Sequence, residues 1–389
     1  MMPPSELAAV GALPSVPIGY LLAVVLVAWC TLFALAPPRP AHSGPSNVSF
    51  WFGYLVNELP FLAFYLWLLI PTAGALLDGE LSSTGGRVVA GLAALTTAGL
   101  AVVAWRGLRS GPIVDRALDQ GLGAGWRGRI DADLAAGLRQ HLPWARILIW
   151  PIPVRPWRVE RLANLRYGDA GRFHLLDLYR HRGHPAGAPV LVYFHGGAFR
   201  SGSKHREARP LLHRLASQGW ICVSANYRLS PVARFPDAHL DAQRVIAWVR
   251  EHGQEYGADP SVLVVAGSSA GAHLAATTAL GDPSITSAVC LYGYYGSLDG
   301  RPASSPESHL RLDAPPFLVV HGDKDTIVLV EDARRFAGKL AGVSDSPVVY
   351  AELPGAQHVF DLVHSIRFET VIDAIEAFAA MTRFLSRSR

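Results

Sequence analysis

Three stretches in the first third of the chain are apolar on every face instead of alternating: residues 18–36, a longer run over 50–77, and 88–105. At 1.5 Å per residue, each is long enough for a helix to cross a hydrocarbon core about 30 Å thick. Pro37 and Pro38 end the first run, because proline supplies no amide donor and clashes with the preceding turn. Pro60 and Pro71 interrupt the second, which narrows the expected span to 60–77 and leaves Trp51 and Glu58 at its interface. Glu58 is alternatively a functional carboxylate within the membrane. Such runs, nearly without charge, favour a transmembrane region of about three spans over 1–106 rather than buried helices of a soluble domain. The residues before the first run hold Glu6 but no Lys or Arg, and no convincing small-residue cleavage site follows, which argues against a signal peptide.

From Val159 onward the pattern changes to short β-branched runs alternating with amphipathic stretches. Strands are expected at 160–166, 173–180, 190–194, 221–226, 262–266, 288–291, 317–320 and 348–352. Helices are expected at 206–218, 240–256, 270–280, 331–341 and 365–386. This alternation predicts an α/β domain over 159–389, a mostly parallel eight-stranded sheet flanked by helices. Residues 107–158 form an amphipathic connector in which Trp144, Trp150 and Trp157 lie near Arg146, Arg155 and Arg158. That mixture suits a membrane interface, a lid over an active site, or an ordinary helix and loop docked on the domain.

Composition agrees with this division. Hydrophobic residues make up 50% of the chain and charged residues 17%, against about a quarter charged in soluble domains. The net charge of +4 is carried by scattered arginines, with Lys only at 204, 324 and 339, so no nucleic-acid surface is expected. Cys30, Cys222 and Cys290 form no C-x-x-C pair, which argues against disulfides, a zinc site or any metal. Arg106, Arg109, Arg116, Arg127 and Arg129 follow the third span, Arg39 lies between the first two, and only Arg87 lies between the second and third. By the positive-inside rule the chain is a multi-pass cell-membrane protein with its N-terminus outside and its C-terminal domain on the cytoplasmic side.

The chemistry concentrates in four places. Gly267-Ser268-Ser269-Ala270-Gly271 follows one apolar strand and opens an Ala-rich helix, the strand–turn–helix setting of a nucleophile elbow. It sets the Ser269 hydroxyl at a helix N-terminus, where developing negative charge is favoured. His195-Gly196-Gly197-Ala198-Phe199 follows another strand, and its glycines let backbone amides face an oxyanion. The expected donors are the N–H groups of Gly196, Gly197 and Ala270. Asp325 and His358 each follow a later strand, completing the chain order Ser, Asp, His; Asp323 is the rival acid. Other histidines, among them His174, His184 and His239, read as surface or capping residues.

These motifs, with Asn226-Tyr227-Arg228-Leu229-Ser230-Pro231 and Phe235-Pro236-Asp237-Ala238, resemble the carboxylesterase/lipase branch of the α/β hydrolases, which includes hormone-sensitive-lipase-like and feruloyl-esterase-like enzymes. The likeness covers roughly 158–384 and is greatest to actinobacterial esterases with an N-terminal membrane region. It implies an α/β-hydrolase fold and hydrolysis of a small-molecule or lipid ester, with membrane lipids as neighbours and no cofactor. It leaves oligomeric state, a peptidase or amidase activity and a non-catalytic binding role open. Two departures stand out: Ala198 occupies the place of a usual third glycine, and Ser268 that of a usual acidic residue. The stretch 293–316 is short, so any lid is expected from 107–158.

Overall fold

The computed structural model describes residues 16–38 and 43–387; the N-terminal tail with Glu6, and Arg39, lie outside the described residues. The chain forms two compact units, Met1–Arg106 and Gly107–Arg389.

The first unit is helical: α1 (Ile18–Leu35), α2 (Gly44–Glu58), α3 (Pro60–Leu77) and α4, which runs Thr84–Leu108. Three helices are long and apolar enough to cross a membrane: Ile18–Leu35, Pro60–Leu77 and a stretch within Thr84–Leu122. Their outer faces carry exposed Leu22, Trp29, Leu32, Leu77, Val88 and Leu95, while Tyr20, Val24, Leu68, Val89 and Leu100 pack inward. An apolar exterior of this extent suits lipid or a partner better than water. The separate helix α2 is not evident from hydropathy. It exists because the Ser43 hydroxyl accepts the Ser46 amide at 3.2 Å, with Pro45 in its first turn, and it stops before Pro60. Glu58 is buried and accepts from Asn57 Nδ2 at 3.2 Å. Helix α3 widens to a π turn over Tyr65–Leu69, just ahead of Pro71, whose nitrogen has no hydrogen to close an α turn.

The second unit is built on one eight-stranded sheet: β1 (Val159–Arg166), β2 (Leu175–His181), β3 (Ala188–Phe194), β4 (Ile221–Ala225), β5 (Ala258–Ser268), β6 (Ser287–Leu291), β7 (Phe317–Gly322) and β8 (Val348–Leu353). Their spatial order is β1-β2-β4-β3-β5-β6-β7-β8, with β1 and β2 antiparallel to their neighbours and the rest parallel. The central parallel strands read largely as apolar runs because both faces are covered, every residue of β3 being buried, whereas the edge strand β8 is buried on alternate residues. On one face lie α6 (Arg209–Ser217) and α10 (Ile366–Arg387), together with α5 (Ser110–Leu122). On the other lie α7 (Asp237–His252), α8 (Ala270–Gly281) and α9 (Val330–Val343).

Residues 107–158 belong to this second unit. Val114, Ala117, Leu118 and Leu122 of α5 share a core with Val349, Ala351, Phe368 and Val371. Each large side chain so buried contributes about 1.5–3 kcal/mol. Gly121 lies so close to β8 that a Cβ there would sit 2.7 Å from a Val349 methyl and 2.8 Å from the Val348 carbonyl. Arg139 then reaches Glu369 at 2.5 Å and Asp373 at 2.7 Å on α10. Farther along, Trp144, Ile149, Trp150 and Trp157 are exposed, and the Pro151 carbonyl accepts the His364 amide at 2.8 Å.

Candidate active site

The strand order reverses direction at β3, which lies between β4 and β5. Open α/β sheets bind ligands outside the carboxyl ends of strands at such a switch point. The loops after β3 and β5 carry His195–Phe199 and Ser269.

Ser269 is held in a backbone conformation that side chains rarely adopt, φ 53° and ψ −118°, between β5 and α8. Its amide donates to the Leu291 carbonyl at 2.9 Å. The turn closes only because its neighbours are small: a Cβ on Gly271 would lie 1.9 Å from the Phe194 carbonyl oxygen, and one on Gly267 2.2 Å from that of Gly271. Strain confined to one residue in an otherwise regular connection marks a position shaped for chemistry.

His358 Nε2 lies 3.0 Å from Ser269 Oγ, and His358 Nδ1 lies 2.6 Å from Asp325 Oδ2. A proton on Nδ1 directed at the carboxylate leaves Nε2 free to accept from the serine hydroxyl. Asp325 is fully buried. Its Oδ1 accepts the amides of Ile327 and Val328, each at 2.8 Å, and its Oδ2 lies 3.2 Å from His321 Nε2. Burial alone would raise its pKa, but the His358 charge and the bonds from His321 and His358 outweigh it and hold the carboxyl well below its usual range. The rival Asp323 instead accepts the Gly355 amide at 2.6 Å, so the structure brings Asp325, Ser269 and His358 together in one relay. The Tyr292 ring packs edge-on against His358, centroids 4.6 Å apart.

The glycine loop holds a correction. The Gly196 N–H, expected to face an oxyanion, donates to Glu207 Oε2 at 2.5 Å. A buried carboxylate is a stronger acceptor than a transient oxyanion site, so it takes that amide in the resting protein. Among the described residues, no acceptor is seen for the amides of Gly197, Ala198 or Ala270. His195 Nδ1 donates to the Gly196 carbonyl at 2.7 Å, which fixes the plane of the peptide bearing the Gly197 N–H. Burial lowers the His195 pKa and keeps its ring neutral, stacked on Tyr227 at 4.4 Å. Gly197 has φ 121°, and a Cβ there would sit 2.0 Å from the Ser201 carbonyl.

Several groups escaped sequence reasoning. Ser268 Oγ donates to Glu207 Oε2 at 2.7 Å and meets Tyr193 OH at 2.6 Å. Tyr193 OH and Tyr292 OH lie 3.0 and 2.5 Å from the two oxygens of Asp361. Burial and then the Glu207 charge push the Asp361 carboxyl up to about 7. Nothing in the sequence singles out Glu207; Asp361 stands three places after His358, the only hint. His174, expected as a surface or capping residue, is buried: its Nδ1 accepts the Ala170 amide at 3.0 Å, and its Nε2 lies 2.9 Å from Asp241, which also gathers Arg228 and Arg244. His239 lies beside Phe199, Phe235 and His273 with both ring nitrogens buried, and burial drives its pKa down to about 3. The Asn226–Pro231 stretch is scaffolding: Tyr227 OH donates to the His195 carbonyl at 2.7 Å and Asn226 accepts the Lys204 amide at 2.8 Å.

Residues 176–290 match the BD-FAE family. The chain is similar to the "Probable carboxylic ester hydrolase LipM" of Mycobacterium tuberculosis, 35% identical over 93% of both chains. It is similar to the esterase LipQ of the same organism, 35% identical over 59% of this chain and 64% of that one. Among solved structures, the apo form of Thermogutta terrifontis esterase 2 aligns with a TM-score of 0.49 and 26% identity, covering 57% of this chain and 93% of that one.

Proposed function

The chain belongs to the carboxylic ester hydrolases of the α/β-hydrolase superfamily, and from that premise we propose that it is a membrane-anchored serine esterase acting through Ser269, His358 and Asp325. The observation that carries the reading is the continuous relay from Asp325 Oδ2 through His358 to Ser269 Oγ, with contacts of 2.6 and 3.0 Å.

In this reading His358 Nε2 removes the Ser269 proton as Oγ attacks the ester carbonyl. The same nitrogen then protonates the departing alcohol, and water hydrolyses the acyl-Ser269 ester by the reverse sequence. Asp325 holds the imidazole in the tautomer that presents a lone pair to the serine, and stabilises the imidazolium once formed. The tetrahedral oxyanion takes its donors from Gly197 and Ala270. Ala198, the next amide along the loop, takes the place first expected of Gly196. Ala270 opens α8, whose N-terminal dipole favours the same charge.

Residues 1–106 serve as the membrane region, and catalysis belongs to the second unit, on the cytoplasmic face. Three helices of sufficient length and apolarity support anchoring, and the arginines after residue 105 support the orientation. A tethered hydrolase meets esters dissolved in or derived from lipid at high local concentration, so such esters are the substrate class.

Hydrolysis of p-nitrophenyl esters from short to long acyl chains, by full-length protein in detergent and by Ser269→Ala, tests this. Activity confined to the unsubstituted protein, with an optimum at medium or long chains, is expected. Equal rates in both proteins would refute the assignment of Ser269, and an optimum at acetate would refute the lipid-ester class.

A further inference from the structure

Glu207 lies outside every motif, two residues before α6, yet its side chain is only 3% exposed. One oxygen accepts both the Gly196 amide at 2.5 Å and the Ser268 hydroxyl at 2.7 Å. Those two groups come from the ends of two paired strands: Gly196 belongs to the loop after β3, and Ser268 directly precedes Ser269 at the end of β5. A Cβ on Gly196 would stand 3.0 Å from the Glu207 carboxylate and 3.1 Å from Ser269 Cβ, so the loop is packed directly against the elbow.

We propose that Glu207 is a positioning residue for ester hydrolysis, whose carboxylate ties the oxyanion loop to the nucleophile elbow. This rests on the reading of Ser269 as nucleophile. The resemblance noted above expects an acidic side chain at position 268; here that place is a serine, and the carboxylate arrives from a different segment of chain.

The hydrogen count around Glu207 requires one shared proton. Five contacts link Gly196, Glu207, Ser268, Tyr193, Asp361 and Tyr292 in a row. The Gly196 amide and the hydroxyls of Ser268, Tyr193 and Tyr292 supply four hydrogens. One contact would therefore set two lone pairs against each other unless a carboxyl carries the fifth. A proton on either carboxyl completes the row; carried by Asp361, it is donated to Tyr193, Tyr193 donates to Ser268 and Ser268 to Glu207, while Tyr292 donates to the other Asp361 oxygen. Two buried carboxylates this closely linked do not both ionise readily, and the elevated Asp361 carboxyl agrees with the proton's place. With the shared proton on Asp361, the Gly196 amide meets the Glu207 carboxylate as a charge-assisted bond. Arg206 Nε, 4.0 Å from the other Glu207 oxygen, is the neighbouring cation, and the ring of His195 is neutral. The Ala208 amide donates to the Asp361 carbonyl at 3.2 Å, fastening the two segments by backbone as well.

With Gly196 fixed, the following amides are held at a set distance from Ser269. Losing one oxyanion donor costs about 10²–10³ in kcat, and a loosened loop loses part of that. The test compares full-length Glu207→Ala, Glu207→Gln, Glu207→Ala with Ser268→Asp, and Ser269→Ala, on p-nitrophenyl butyrate with thermal melts alongside. Glu207→Ala is expected to lower kcat about 100-fold, with KM within about threefold, because the loop acts on the transition state. Glu207→Gln, whose amide oxygen still accepts from both partners, should stay within about tenfold of the parent. Ser268→Asp in the Glu207→Ala background should restore at least about tenfold by returning a carboxylate from the elbow. Unchanged kcat in Glu207→Ala, or a melting loss that neither Glu207→Gln nor the double variant relieves, would overturn the proposal. Full activity in Ser269→Ala would instead overturn the reading beneath it.

Discussion

Replacing Asp325 by Asn changes one atom at the centre of the relay, and the consequence follows from the surrounding donors. Oδ1 is committed to the amides of Ile327 and Val328, both at 2.8 Å. The new amide oxygen must stay there, since an NH2 group cannot accept from either. The NH2 group therefore replaces Oδ2, 2.6 Å from His358 Nδ1, where it donates. His358 answers by moving its proton to Nε2, which now presents a donor to Ser269 where the reaction requires an acceptor. The fold survives and the base is lost. For such a tautomer reversal kcat falls by about 10⁴, or about 5 kcal/mol in the barrier. The Asp325 carboxyl is held below its usual range, so it stays ionised at any practical assay pH and the deficit should not vanish at mildly acid pH. Steady-state hydrolysis of p-nitrophenyl butyrate, normalised to folded protein by thermal melt, reads the effect. Asp323→Asn is the control, with an expected loss below about tenfold. A kcat within tenfold of the parent for Asp325→Asn, or a larger loss for Asp323→Asn, would refute the assignment of the acid.

Other perturbations test separate parts of the account. Gly271→Ala places a Cβ 1.9 Å from the Phe194 carbonyl, so it should destabilise the second unit by about 3 kcal/mol or more and lose activity with it; a parental melting temperature would contradict the close approach. Asp361 has a folded-state carboxyl raised from 3.8 to about 7, so its contribution to stability is complete below pH 4 and is lost as pH rises through 7. That loss amounts to roughly 4 kcal/mol. Asp361→Asn imitates the protonated form, so its melting temperature should exceed the parent's at pH 8 and vary less between pH 4 and 8. A pH profile parallel to the parent's would count against the shared proton. A dual topology reporter fused after the C-terminus should report the cytoplasm; signal from the outside alone would reverse the orientation.

The second unit was largely legible because its central parallel strands are buried on both faces and so read as apolar runs, β3 and β7 most plainly. Ser269 and Asp325 come within a few residues of such runs, whereas His358 follows β8, an edge strand whose burial alternates; the fold gathers these strand ends on one side of the sheet. What escaped notice depends on partners distant in sequence. Glu207 begins what reads as an amphipathic helix, but Ala208 has φ 51° and the helix starts only at Arg209. Nothing local shows that its carboxylate will meet Gly196, so the Gly196 amide was assigned to the wrong acceptor. Helix α5 shows the same limit: one apolar face identifies a helix, yet whether Val114 and Leu118 meet lipid, a lid position or β8 is decided by β8 itself. Helix α2 was missed because its start rests on the Ser43 cap rather than on hydropathy.

The central claim is that Ser269 is the nucleophile, and covalent labelling tests it most directly. Full-length protein treated with a fluorophosphonate and digested should yield one modified peptide, with the phosphonyl group on Ser269. Ser269→Ala should remain unlabelled, and His358→Ala should label only slowly. Modification at another serine, or undiminished labelling of Ser269→Ala, would contradict the account.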